Sequence, residues 1–260
     1  MKIREFYDAL LKYAPLELSK RLCETDGGYD NSGVIVGFDS SEELSGAVFA
    51  LDLSFGAVDI ALKRGCNLIV THHPAIYSPI KSIEANSPIY NCIQNGISVI
   101  SMHLNVDCAE RGTDYYFAEG LGAEKQIIID DFGGGTGYGR ISEIEEVTAK
   151  QLLDRYKMRF KSESVILYGD ANRKISKIGT FCGAGLDERT IDESLKAGVD
   201  LVASADIRHH VLLKAINSGL AVLYCTHYAC ENYGMNKICE NFAVKYKNEK
   251  IIYFDDERLS

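Results

Sequence analysis

A glycine followed by a short apolar run that ends in histidine or acid occurs four times in this 260-residue chain. "LKRGCNLIVTHH" (62–73) and "LKAGVDLVASAD" (195–206) match position by position, and "NGISVISMH" and "SGLAVLYCTH" follow the same plan. Before Gly65, "SFGAVDIALKRG" spaces its apolar residues as a helix does, and a glycine just past the last of them stops a helix. "CNLIV" then reads as a short buried strand. Helices alternating with apolar strands define an α/β fold, and the repetition implies two related halves, at roughly residues 30–125 and from about 173 onward. Between them, "DDFGGGTGYGRISEIEE" is expected to be a flexible connection or a turn-rich approach to a strand.

In open α/β sheets, ligands bind beyond the carboxyl ends of the strands. All six histidines follow one of these runs. His72 and His73 follow the first, and His103, with Asp107 four residues on, follows the second. Asp206, His209 and His210 follow the third, and His227, with Glu231 four residues on, follows the last. One histidine at a strand end is more often a core or surface group, but six in four equivalent places mark a site. Imidazole and carboxylate hold zinc, iron or manganese, and His72, His73, Asp107, His227 and Glu231 supply five donors. That exceeds the three or so protein ligands of one catalytic zinc, and carboxylates can bridge, which favours two ions. His227 and Glu231 share a helical face if a helix starts near Tyr228. His103, His209 and His210 are candidates for proton transfer, with Asp206 to orient one of them. A supporting or pocket-lining role is the commoner use of such histidines, and His103 is placed to fix Asp107.

A net charge of −9 argues against a surface that grips nucleic acid through its phosphates. No apolar run reaches the roughly 18 residues a membrane span needs. The amino-terminal "MKIREFYDALLKYAPLEL" has helical spacing and no apolar signal core, so the expected location is the cytoplasm. Eight cysteines without a CxxC pair read as buried thiols. Arg140 and Arg208 are candidates for phosphate contacts, although a salt bridge is the commoner role for each. In "FCGAGLDE", Gly183 and Gly185 precede a helix whose amino terminus could receive an anion, or they simply form a tight turn.

Five ordered blocks resemble the GTP cyclohydrolase I type 2 homologues, also called the NIF-three-like family. "LDLSFGAVDIALKRGCNLIVTHHPAIYSPIKSI" resembles the family's helix, strand and double-histidine signature. "HLNVDCAERGTDYYFAEGLG" resembles its second signature, HTNLD followed by Gly and Asp. "GGYDNSGVIVG", "SADIRHH" and "THYACE" resemble WDNVGLLVG, TGDxKHH and GHYxTE; Tyr29 and Ala205 in these blocks, and Leu104 in the second signature, depart from the usual Trp, Gly and Thr. The resemblance implies the short form of the fold, two interlocked α/β/α units with a dinuclear metal site between them. The first unit would comprise residues 1–125 plus the carboxyl-terminal segment 226–260, and the second residues 126–225. It implies two divalent ions (Zn, Fe or Mn) held by His72, His73, Asp107, His227 and Glu231, and assembly as a homohexamer. The expected function is a metal-dependent hydrolase acting on a nucleotide or related heterocycle. A phosphoesterase or nuclease using the same ions, and a non-catalytic metal-binding adaptor, are the alternatives.

Overall fold

The computed structural model describes residues 1–259. The chain is a mixed α/β protein with two sheets, in two compact units. The first contains Met1–Ala109 and Met235–Asp256, and the second Glu110–Gly234 with residues 257–259, so residues 110–125, 226–234 and 257–259 belong to the second. In chain order the elements begin α1 (Ile3–Tyr13), α2 (Glu17–Asp26), β1 (Gly33–Val36), β2 (Ala47–Ala50), α3 (Phe55–Arg64) and β3 (Leu68–Thr71). Then come α4 (Pro88–Gln94), β4 (Ser98–Ser101), α5 (Leu104–Asp107), α6 (Thr113–Gly120), β5 (Lys125–Gly133), β6 (Thr136–Thr148) and α7 (Ala149–Phe160). The remainder is β7 (Ile166–Tyr168), β8 (Lys174–Phe181), α8 (Glu188–Lys196), β9 (Leu201–Ser204), α9 (His209–Asn217), β10 (Ala221–Tyr224), α10 (His227–Lys245) and β11 (Ile251–Phe254).

In the first sheet the order is β1-β4-β3-β2-β11, with β1 antiparallel to β4 and the other neighbours parallel. Parallel strands are buried on both faces, which is why their sequences are continuous apolar runs. On one face Val48, Ile69 and Val99 pack with Val58 and Ala61 of α3 and Cys92 of α4. On the other, Phe49 meets Phe6 of α1 at 6.3 Å and Phe242 of α10 at 5.8 Å between ring centres. Ser54 caps α3 by accepting the Ala57 N–H, and Gly65 ends it in the left-handed conformation at φ 61°. That sharp stop turns the chain straight into β3.

The second sheet runs β5-β6-β8-β9-β10-β7. Its β8, β9 and β10 are parallel, and β7 lies antiparallel on β10. The arrangement of β2, β3 and β4 with antiparallel β1 therefore recurs in β8, β9 and β10 with antiparallel β7. The two matching sequence segments are the middle strands, β3 and β9. One core under this sheet includes Leu201, Ala203, Leu223 and Tyr156, and the other includes Phe181, Val202 and Val222.

Of the two expectations for the glycine-rich stretch, the turn-rich approach to a strand holds: β5 pairs with β6 as a hairpin from Lys125–Glu143 to Gly133–Thr136, with a register shift between Asp131 and Gly133. Within the ladder, Gly137 has φ 141° and a Cβ there would run into the Asp130 carbonyl, so the glycine permits close pairing of the strands. Seven of the eight cysteines are buried thiols, whereas Cys23 is half-buried. Among the described residues, no helix is long and apolar enough to cross a membrane.

Candidate metal centre

In the first unit the ends of β2, β3 and β4 converge on the histidines. The His72 and His73 N–H groups donate to the Leu51 carbonyl at 3.1 and 2.9 Å, so the turn after β3 is pinned to the end of β2. Thr71 Oγ1 donates to the His73 carbonyl at 2.8 Å, and Ser101 Oγ accepts the Ala75 N–H at 3.1 Å. His72 is fully buried, and its Nδ1 donates to the Met102 carbonyl at 2.9 Å. A carbonyl can only accept, which places the lone pair of neutral His72 on Nε2. His73 Nδ1 lies 2.7 Å from Asp52 Oδ1, and His103 Nδ1 lies 2.8 Å from Asp30 Oδ1. Ligating nitrogens of His72, His73 and His103 fall within 4.8 Å of one another.

Asp107, buried at the end of α5, approaches His72 Nε2 at 3.6 Å through Oδ1. His103 does fix Asp107, but through its backbone: its carbonyl accepts the Asp107 N–H at 3.1 Å, while its ring is held by Asp30. Asp30 also accepts from Ser32 Oγ at 2.6 Å. Burial pushes the Asp30 carboxyl up, and hydrogen bonds from His103, Ser19 and Ser32 more than reverse this, holding it down at about 2. The carboxylate is thus ionised and holds the proton of His103 on Nδ1.

In the second unit, α10 begins at His227, placing His227 and Glu231 one turn apart on one face. His227 Nε2 and Glu231 Oε2 stand 3.1 Å apart, and His227 Nδ1 is 2.7 Å from Asp206 Oδ2. Asp206 therefore orients His227, not His103, His209 or His210. Burial pulls the His227 imidazole down, but the hydrogen bond and charge of Glu231, with Cys230 and Asp206 adding, push it up to about 10. A cation entering here displaces a proton, as binding to imidazole requires.

The turn after β8 supports Glu231. Gly183 has φ 62°, its carbonyl accepts the Ala205 N–H at 2.9 Å, and a Cβ on it would run into Glu231 Oε1. The anion reading of this turn fails, because Asp187 caps α8 with its own carboxylate, accepting the Thr190 N–H at 2.7 Å. Gly185 instead faces the Tyr138 ring. Arg140 is buried against Asp114, its Nε donating to Oδ2 at 3.1 Å, and is no surface phosphate ligand. His209 and His210 are exposed at the head of α9, with His210 Nε2 3.9 Å from Glu188 Oε1.

The residues fit divalent cations. Each of His72, His73, His103 and His227 has Nδ1 held by a carbonyl or carboxylate, the usual support of a metal-ligating imidazole. Two ligands about 2.0–2.2 Å from one ion stand roughly 3.0–3.5 Å apart, close to the 3.6 and 3.1 Å seen for His72–Asp107 and His227–Glu231. Asp30 and Asp52, which hold the rings of His103 and His73, are not among the residues singled out from the sequence. Asp52 lies two residues beyond the carboxyl end of β2, so the strand-end rule applied to carboxylates would have found it.

The chain is similar to known proteins over nearly its whole length. The profile of Duf34/NIF3 (NGG1p interacting factor 3) matches residues 1–258. A Clostridium acetobutylicum protein named GTP cyclohydrolase 1 type 2 homolog is 29% identical over 239 residues, covering 89% of this chain and 85% of its own. A Methanocaldococcus jannaschii protein of the same name is 30% identical over 247 residues, covering 92% and 94%. The fold is similar to a crystal structure of a Staphylococcus aureus protein (TM-score 0.85, 22% identity, 100% and 99% covered). It is also similar to reduced HcgD from Methanocaldococcus jannaschii (TM-score 0.77, 26% identity, 98% of both chains covered). With a match over nearly its whole length, the chain belongs to the Duf34/NIF3 family.

Proposed function

We propose that His72, His73, Asp107, His227 and Glu231 hold two divalent ions (zinc, iron or manganese) in one centre, and that the protein is a hydrolase of a nucleotide or related heterocycle. The observation that carries this reading is the common anchoring of Nδ1, which presents one nitrogen of each histidine as a ligand. Each half-set alone, three donors and two, is short of what two ions need, and together they still leave coordination positions open. Bound divalent cations supply Lewis acidity and bring the pKa of water toward about 7.

The chain's own groups do the rest. Asp52 and Asp206 keep His73 and His227 in one tautomer and orientation. His103 is held at Nδ1 by ionised Asp30, which leaves Nε2 to ligate or to carry a proton to the leaving atom, with Asp30 steadying the imidazolium. His209 and His210 line the approach at most. The substrate class draws on relatives named GTP cyclohydrolase 1 type 2 homolog. The resemblance to the family adds assembly as a homohexamer.

Incubating metal-loaded protein with nucleotides and following products by mass spectrometry tests the reading. The expected result is addition of water without loss of phosphate, abolished by chelator. Release of phosphate points to a phosphoesterase, and no product with any nucleotide leaves the adaptor reading.

A further inference from the structure

Two tyrosines stand open to solvent beside the histidine cluster, and they are held there. Tyr29 is 54% exposed and Tyr77 50%, and their rings meet edge to face, 5.9 Å between centres at 88°. Tyr77 Oη donates to the Tyr29 carbonyl at 3.0 Å. A second tie joins the same loops, Asn31 Nδ2 to the Ile76 carbonyl at 2.6 Å. Tyr77 in turn sets its ring at 86° to His103, 6.4 Å between centres. Next to the pair lies a cavity of about 300 Å³, lined in part by Leu16, Ser19, Tyr29, Asp30 and Ser32.

Scattered exposed aromatics are ordinary. A pair fixed by two loop-to-loop hydrogen bonds, reaching a histidine of the candidate centre on one side and a cavity on the other, is a prearranged surface. Such a surface costs little further ordering when a flat ring docks on it. Its size is at the low end for small-molecule sites, about 300–1,000 Å³. Its lining is mainly apolar, with Leu16 and the Tyr29 ring beside Lys20, Ser19 and Ser32, while the Asp30 oxygens are taken by His103 and Ser32.

We propose that the Tyr29 ring, braced edge to face by Tyr77, is the stacking face for a planar nitrogen heterocycle, which it holds beside His103. The site takes the ring portion of the ligand, and the inference rests on the hydrolase reading only in assigning that ring to the substrate.

Equilibrium binding of guanosine and of ribose 5-phosphate to metal-loaded protein, by calorimetry or saturation-transfer NMR, tests it. Wild-type protein is expected to bind guanosine. Tyr29→Ala should weaken that binding at least about fivefold, from the measured worth of one base–aromatic stack, Tyr77→Ala should weaken it less through loss of the brace, and both should leave ribose 5-phosphate unaffected. Tyr29→Phe, which keeps the ring, should stay close to wild type, and circular dichroism should show all variants folded. Failure of wild-type protein to bind guanosine at millimolar concentration, or unchanged binding by both folded alanine variants, overturns the proposal. Ring binding without turnover would instead defeat the hydrolase reading and leave the stacking site standing.

Discussion

Glu231→Ala should strip metal from the protein, whereas His209→Ala should leave metal content unchanged. Glu231 is buried one turn into α10 with Oε2 3.1 Å from His227 Nε2, so its loss removes a proposed charged ligand and no substitute from solvent restores that charge. His209 is exposed at the head of α9 and belongs to no donor group of ligand dimensions among the described residues. Asp206→Asn is an internal standard: it weakens the grip on the His227 ring without removing a ligand, a change that typically costs about 10–100-fold in metal affinity. Glu231→Ala should exceed that. Metal analysis after dialysis against graded chelator measures all three, and loss of metal from His209→Ala but not from Glu231→Ala would reverse the assignment.

Asp114→Ala should destabilise the protein by about 3–5 kcal/mol, the usual consequence of leaving a buried charge without its partner. Asp114 is fully buried at the start of α6, and Arg140 on β6 is nearly so. One carboxylate oxygen accepts from Arg140 Nε and the other from the Cys182 N–H, each at 3.1 Å. A single side chain thus ties α6, β6 and the end of β8, one residue before Gly183. Alanine leaves a guanidinium and an amide unsatisfied together. Asp114→Asn should lose less, because the amide oxygen still accepts. Asp114→Ala combined with Arg140→Met should recover much of the loss, since the buried charge goes with its partner. Urea unfolding provides the measurement, read as a shift in midpoint at constant slope. A loss below about 1 kcal/mol for Asp114→Ala would show that the pair contributes nothing net.

Much of the fold, and the strand-end placement of the candidate donors, was legible because both follow local rules. Gly65 and Gly219 mark where helices stop, the apolar runs after them are too short for helices, and the histidines come at fixed offsets past those runs. What was not legible depends on pairing across long stretches of chain. Asp52 finds His73 across 21 residues and Asp30 finds His103 across 73, and nothing near either aspartate separates it from the many acids on a surface. The same reason explains Asp206, which was set to orient one of three histidines and instead holds His227, 21 residues on. Gly133, Gly134 and Gly135 gave a turn signal that was correct, but β5 is half-exposed and β6, although buried over residues 137–142, mixes glycine, arginine and serine with its apolar residues, without the apolar run that revealed the others. Asp187 shows how local chemistry can mislead: the helix amino terminus is there, and the chain's own carboxylate fills it.

Anomalous scattering from a crystal of metal-replete protein tests most directly whether one centre draws on both half-sets. The prediction is two adjacent ions, about 3.5–4 Å apart as in two-metal hydrolases, with His72, His73 and Asp107 among the ligands together with His227 and Glu231. A single ion, or ions ligated by only one of the two half-sets, would contradict it.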